Sequence, residues 1–381
     1  MKLILIDGNN LAMRQAHAYN LSVYRPIEGD HPDDFDAPAN QFPTGILHGF
    51  LKTLAILRNR FPGRYLTVVW DGGYQHRTTL SKQAVAQRIV PEEYKENRRR
   101  KAPSPEILNW LRQKPVLMNA LRLTNIPQVL VDGEEADDVI ASYVAHYAKV
   151  AENFLLFTTD KDYFQLLGPQ VRMLRGEGIY DEADFRKEYG VSPAQWLDVA
   201  GLEGDNGDNI FGAPGWGEVS AVKAIQSYGS LEDVLANIHI RLDPLRQQYP
   251  DLTDVQPLAD LKTPSGKAKF PGVYASMPFT GVAWAMEQSR KVKASRLELS
   301  AMMHEPRSRL AKVLKTMRRF PVADLPGWNQ SPAWNRQKQS EFFKFCQDYS
   351  LREVSEEASL LCAPQSRETV PDSLPMGCVN V

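Results

Sequence analysis

Lys2-Leu3-Ile4-Leu5-Ile6-Asp7-Gly8-Asn9-Asn10 is the stretch whose reading decides the fold. Its short apolar run predicts a strand, and the turn-rich Asp7-Gly8-Asn9-Asn10 ends it. The same punctuation recurs twice: residues 65–70 are β-rich and stop at Asp71-Gly72-Gly73, and residues 154–158 stop at Thr159-Asp160. Further strands are expected at 128–131 and 171–174. Between them lie helical patterns. Residues 44–60 carry Ile46, Leu47, Phe50, Leu51, Leu54 and Leu57 at helical spacing, residues 104–123 open on Ser104-Pro105 as cap and first-turn proline, and a third helix covers 136–150. Alternation of strand and helix predicts an α/β fold, a mostly parallel sheet flanked by helices. Sites in such sheets form outside the carboxyl ends of the strands, where three of these strands run directly into Asp7, Asp71 and Asp160.

Bulk properties exclude some classes. At 381 residues the chain can bury one large core or two smaller ones, and 43% hydrophobic with 24% charged residues is ordinary for a soluble globular protein. No run approaches the roughly 18 apolar residues of a membrane span, and the N-terminus lacks a secretory pattern. Cys346, Cys362 and Cys378 are odd in number and without CxxC spacing, so neither a disulfide framework nor a zinc site is expected, and a reducing cytoplasm fits. The net charge of −1 conceals segregation: residues 74–114 hold ten Lys/Arg against four Asp/Glu, and residues 286–319 hold ten against three. Such segments suit a phosphate-binding surface or a pair of solvated helix faces.

The acidic residues that matter are Asp7, Asp71, Glu135, Asp137, Asp138, Asp160, Asp162, Asp205 and Asp208. Singly, an Asp after a strand is commonly a turn former, and one at a helix start a cap. Together, carboxylates that converge would protonate unless cations were present. Oxygen ligands without His or Cys select Mg²⁺ or Mn²⁺, and two such ions can activate water and stabilise the leaving oxygen of a phosphodiester.

Five segments in order resemble the 5′-nuclease family, which includes the N-terminal domains of bacterial DNA polymerase I, phage 5′-exonucleases and flap endonucleases. They are Leu5-Ile6-Asp7-Gly8-Asn9, Val69-Trp70-Asp71, the run from Gly133 through Glu134-Glu135-Ala136-Asp137-Asp138 to Ala141, the run from Thr158 through Thr159-Asp160-Lys161-Asp162 to Leu166, and Gly204-Asp205-Asn206-Gly207-Asp208-Asn209-Ile210. The resemblance covers roughly residues 1–240. It implies a PIN-like catalytic domain over 1–190 with a basic helical arch at about 74–114. A helix-hairpin-helix (H3TH) and C-terminal DNA-binding region would follow over 191–330, then a closing helical segment over 331–362 and a disordered tail over 363–381. One ion would be held mainly by Asp7, Asp71, Glu135 and Asp137, and a second would lie nearer Asp138, Asp160, Asp162 and Asp208, with Asp205 close by.

By the same resemblance, Tyr94-Lys95-Glu96-Asn97-Arg98-Arg99-Arg100-Lys101 matches the arch. Lys95 and Arg98 would contact the phosphate to be cleaved and Tyr94 would stack on an unpaired base, with Arg99, Arg100 and Lys101 adding DNA contacts. The arch is expected to be disordered without DNA. Gly212-Ala213-Pro214-Gly215-Trp216-Gly217-Glu218 is similar to the family's hairpin, where Gly212, Gly215 and Gly217 let backbone N–H groups approach duplex phosphates, Ser220 and Lys223 add contacts, and K⁺ bridges hairpin and DNA. Val219 stands where many relatives carry Lys. After Ser230 the resemblance fades, and residues 240–274 match nothing familiar.

The implied function is a divalent-metal-dependent, structure-specific 5′→3′ exonuclease and flap endonuclease, monomeric and of the stand-alone kind many phages encode. It would remove primers or flaps in replication and repair. Its substrate would be DNA with a 5′ flap, nick or free 5′ end, RNA-primed ends included, and its partners a replicative polymerase or single-strand-binding protein. A PIN-type ribonuclease and a non-catalytic duplex-DNA-binding module are the alternatives; the hairpin disfavours the first and the full carboxylate set the second.

Overall fold

A computed structural model of the protein describes residues 2–19, 24–26, 41–149, 151–248, 296–319 and 335–363. The expected tail beyond 363, most of the 240–274 insertion and residues 286–295 of the second basic stretch lie outside the described residues.

The chain divides into two compact units. The first comprises residues 1–74, 102–181 and 318–381, and the second residues 75–101 and 182–317. The strands of the first unit are β1 (Lys2–Asp7), β2 (Tyr24–Pro26), β3 (Gln41–Pro43), β4 (Tyr65–Trp70), β5 (Gln128–Leu130), β6 (Asn153–Phe157), β7 (Val171–Arg175) and β8 (Gly178–Tyr180). Six of them form one sheet in the order β5-β4-β1-β6-β7-β8, while β2 and β3 pair separately. All neighbours in the large sheet are parallel except β7 and β8. After its first residue each of β1, β4 and β6 is buried at every position, which is why they read as unbroken apolar runs rather than alternating ones. Register does the rest: Asp7 pairs with Val69 and Ile6 with Phe157, so β1, β4 and β6 deliver Asp7, Asp71 and Asp160 to the same edge of the sheet.

Helices Gly8–Tyr19, Gly45–Arg60 and Pro105–Leu123 contribute to one buried cluster with Trp70, whose indole stacks between Phe50 and Trp110 at 5.5 and 5.7 Å between ring centroids. Phe342, Cys346, Leu351, Val354, Ala358, Leu361 and Cys362 belong to the same cluster. The closing segment is therefore core of the first unit. Gly8 starts its helix against Trp70, and a Cβ there would lie 2.4 Å from the indole.

In the second unit, helix Trp196–Glu203, the short antiparallel pair Gly204–Asp205 and Ile210–Phe211, and helix Glu218–Tyr228 form a helix-hairpin-helix. Helix Glu305–Lys315 packs so closely on Trp196–Glu203 that a Cβ on Gly201 would meet the carbonyl oxygen of Ser308 at 3.0 Å. One sequence expectation is corrected here. The arch residues 75–101 group with 182–317 rather than with the sheet, because Arg77 Nε donates to the Leu314 carbonyl at 2.8 Å and Asn209 Nδ2 to Glu92 at 2.8 Å. They include helices Gln75–Ala86 and Glu96–Arg100. Among the described residues, no helix is long and apolar enough to cross a membrane.

Candidate active site

The end of β1 is stitched to its neighbours by asparagines. Asn9 Nδ2 donates to Asp71 Oδ2 at 2.7 Å, and Asn10 Oδ1 accepts from both the backbone N–H and the hydroxyl of Thr159 at 3.2 Å. Asp7 sits at the centre. Its Oδ1 accepts the Asn10 N–H at 2.9 Å, its Oδ2 accepts the Tyr163 hydroxyl at 3.1 Å, and it is buried. Burial, helped by the charges of Asp71 and Asp160, pushes its carboxyl up to about 7 despite those two hydrogen bonds.

Asp71 spends its other oxygen on a helix start. Its Oδ1 accepts the Ala136 N–H at 2.8 Å, capping helix Ala136–Tyr147 from a different strand. Glu135, at the N-cap position, makes no side-chain cap bond; it is buried, and Asp137 and Asp138 follow in the first turn. The helix N-terminus favours this concentration of negative charge. Asp137 Oδ1 accepts the Asp138 N–H at 2.7 Å, and Asp160 Oδ1 accepts the Asp162 N–H at 2.9 Å.

Tyr163 reports on the whole group. It is fully buried, and its hydroxyl is pushed well above its ordinary value by burial and by the charges of Asp7, Asp137, Asp160 and Asp71. The structure thus brings those four predicted carboxylates into one field around a protonated phenol. Tyr163, Asn9 and Asn10 were not singled out from sequence as site residues, although all three lie inside the segments that were.

Do these residues suit a divalent cation? All donors are oxygens, an uncompensated carboxylate is driven toward neutrality, and Asn9 Oδ1, beside Asp71, is buried without a hydrogen-bond partner. Each of these is relieved by positive charge. Among the described residues, however, no three His, Cys, Asp or Glu side chains are gathered into a ready ligand cage. The arrangement suits an ion such as Mg²⁺ that keeps several waters and takes only one or two carboxylates directly.

Asp138 faces inward, 1% exposed, with Oδ1 accepting the Arg318 N–H at 2.7 Å. In the second unit, Asp205 and Asp208 are held by the chain's own cations. Lys315 Nζ lies 2.6 Å from Asp205 Oδ2. Burial pushes the Asp205 carboxyl up, but Lys315 and the amides of Gly207 and Asp208 outweigh it and hold it below its ordinary value. Asp208 pairs with Arg98, with Lys95 at 3.7 Å and with the Tyr94 hydroxyl at 3.3 Å. The expected base-stacking role of Tyr94 is corrected by its burial: at 3% exposure the ring has no face to offer. Lys95 takes the left-handed backbone conformation (φ 54°) and sets its ammonium 4.9 Å from the Tyr94 ring centroid. Arg99 pairs with Glu93, and Arg100 with Glu92 and Glu96, while Lys101 is exposed.

The hairpin is built as its glycines require. A Cβ on Gly212 would lie 2.4 Å from the Leu202 carbonyl oxygen, and Gly215 has φ +87°. The Gly217 N–H donates to Ser220 Oγ at 3.0 Å, and Val219 and Lys223 are exposed.

Comparison with known proteins agrees with this geometry. A family model described as 5′-3′ exonuclease, N-terminal resolvase-like domain, matches residues 2–190, and one described as 5′-3′ exonuclease, C-terminal SAM fold, matches residues 191–265. A 5′-3′ exonuclease of Halalkalibacterium halodurans is 32% identical over 252 residues, 65% of this chain and 76% of that protein. Thermostable DNA polymerase I of Thermus aquaticus is 32% identical over 244 residues, 64% of this chain but 26% of the polymerase, so this chain spans about a quarter of that relative's length. A structure of T5 5′-exonuclease with bound divalent metal ions (zinc) aligns over 95% of this chain and all of that one, with a TM-score of 0.53 and 17% identity, which shows a common fold.

Proposed function

Since the chain belongs to the 5′-3′ exonuclease family, we propose that it is a divalent-metal-dependent 5′→3′ exonuclease and flap endonuclease acting on DNA near 5′ ends. The observation that carries this reading is the convergence of Asp7, Asp71, Asp137 and Asp160 on Tyr163, with burial first, and then the charges of Asp71 and Asp160, pushing the Asp7 carboxyl up to about 7. A bound Mg²⁺ or Mn²⁺ supplies Lewis acidity for water activation and charge stabilisation for a leaving oxygen. Asp7, Asp71, Glu135, Asp137 and Asp160 are the residues that would hold it, one or two directly and the others through its waters, with Asp162 and Asp138 adjoining. Asp205 and Asp208, each already neutralised by a cation of the chain, are not needed for this reading.

The chain's own residues orient and polarise. Asn9 and the Ala136 N–H fix both oxygens of Asp71, and Asn10 and Tyr163 fix those of Asp7. Lys95 and Arg98 offer positive charge to a scissile phosphate, provided that the phosphate displaces them from Asp208. The hairpin from Gly212 to Gly217, with Ser220 and Lys223, would meet duplex phosphates, and K⁺ there would bridge carbonyls to DNA. Relatives in which the matched stretch belongs to a DNA polymerase I support primer or flap removal beside DNA synthesis.

A labelled 5′-flap duplex, a nicked duplex and an RNA hairpin, each with Mg²⁺ or EDTA, test the proposal. We expect Mg²⁺-dependent cleavage near the flap junction, loss with EDTA, little RNA cleavage, and a drop of at least about 100-fold in Asp160→Asn. Flap cleavage undiminished in Asp160→Asn, or none by the unaltered protein, would refute it.

A further inference from the structure

Arg318 is where the chain re-enters the first unit, and it grips the start of helix Ala136–Tyr147 at two points. Its backbone N–H donates to Asp138 Oδ1 at 2.7 Å. Its Nη1 lies 2.8 and 2.7 Å from the two carboxylate oxygens of Glu134. The pair is half-shielded, with side-chain exposures of 34% for Arg318 and 20% for Glu134. One turn along the helix, the Ser142 hydroxyl donates to the Asp138 carbonyl at 2.8 Å and lies 3.5 Å from the Arg318 carbonyl.

Glu134 and Asp138 bracket Glu135 and Asp137, both expected to meet the ion. Glu135 makes no side-chain cap bond, Asp71 accepts the Ala136 N–H in the middle of the segment, and the Gly72 N–H donates to the Glu134 carbonyl at 2.8 Å. Holding the segment at both ends fixes its backbone, and with it the directions in which the Glu135 and Asp137 carboxylates leave the chain. Residues that orient ligands in this way set metal affinity without touching the metal.

We propose that Arg318 is a positioning residue for metal binding, acting through Glu134 and Asp138 on the ligands between them. The proposal rests on the metal-dependent reading above. Charge alone predicts the opposite: a guanidinium close to a cation site repels the cation, so deleting it should tighten binding. Positioning predicts that deletion loosens it. The sign of the change therefore separates the two.

The test is direct Mn²⁺ binding to the full chain, followed by the electron paramagnetic resonance of free Mn²⁺, with thermal melting measured in parallel. For Arg318→Ala we expect Mn²⁺ affinity to fall about tenfold. Arg318→Lys keeps the charge and the backbone N–H but replaces a rigid planar guanidinium with a flexible ammonium, so its affinity should fall by roughly threefold. Unchanged or tighter binding in Arg318→Ala overturns the proposal. Should that variant not fold, Arg318→Lys decides: weaker Mn²⁺ binding at an unchanged melting temperature supports positioning, and wild-type affinity overturns it. No Mn²⁺ binding by the unaltered protein would instead sink the metal-dependent reading itself.

Discussion

Asp7 pairs burial with the neighbouring charges of Asp71 and Asp160, which together push its carboxyl up to about 7. Below about pH 4 it is protonated in both folded and unfolded chains. Between there and about 7 the unfolded chain releases a proton that the folded chain keeps, so this residue's contribution to stability is lost as pH rises through that window. The loss is on the order of 4 kcal/mol. Metal-free protein should therefore melt lower at pH 8 than at pH 5 relative to Asp7→Asn, in which this contribution is absent. Mg²⁺ should raise the melting temperature at pH 8 and much less at pH 5, where a proton occupies the carboxyl. Parallel melting curves for protein and variant across that range would contradict the assignment. Much of this residue-level picture is legible in the sequence, because strands that stop on Asp7, Asp71 and Asp160 are visible as runs and breaks. The Tyr163 hydroxyl is not, since its role depends on which way a buried ring points.

At the scale of elements, Gly8 links strand to helix at the site. A methyl group placed 2.4 Å from the Trp70 indole must move the ring or the helix start, and overpacking of this kind costs about 1–3 kcal/mol. Gly8→Ala should lower the urea midpoint by that amount with an unchanged slope, and should slow flap cleavage because Asn9 and Asn10 follow directly. A midpoint within error of the unaltered protein would show that the indole has room to yield. Strand and helix existence was readable because β1, β4 and β6 are buried on both faces and so spell unbroken apolar runs. Helix 104–123 was readable from Ser104, whose Oγ does accept from the Ile107 N–H at 3.5 Å. The third helix ends at Tyr147 rather than 150, where sequence offered no stop signal. What spacing could not encode is which elements go together. The Arg77 bond to Leu314 spans 237 residues, the Tyr94 bond to Asp208 spans 114, and the Arg318 pair with Glu134 spans 184. The first two hold residues 75–101 in the second unit, with Tyr94 buried there.

For the whole molecule the question is how a chain of net charge −1 would bind the polyanion proposed as its substrate. Segregation of charge along the sequence overstates the answer, because much of the basic run is already neutralised within the second unit. Arg98 pairs with Asp208, Arg99 with Glu93, and Arg100 with Glu92 and Glu96. A cation that must surrender a carboxylate to meet a phosphate gains less from counterion release than one facing solvent, such as Lys101 or Lys223. Binding of a 5′-flap duplex to Asp160→Asn, measured as a function of salt, should give a straight line of log affinity against log salt. Adding Lys101→Ala or Lys223→Ala should lower the magnitude of the slope by about 0.9 each. Arg99→Ala should change it by less than half as much, since removing Arg99 also frees the Glu93 charge. Conversely, Asp208→Asn releases Lys95 and Arg98 and should steepen the slope while tightening binding at low salt. Equal slope changes for Lys101→Ala and Arg99→Ala would mean that the internal ion pairs dissolve whenever DNA arrives, and that the sequence-level charge count, not the paired arrangement, governs the encounter.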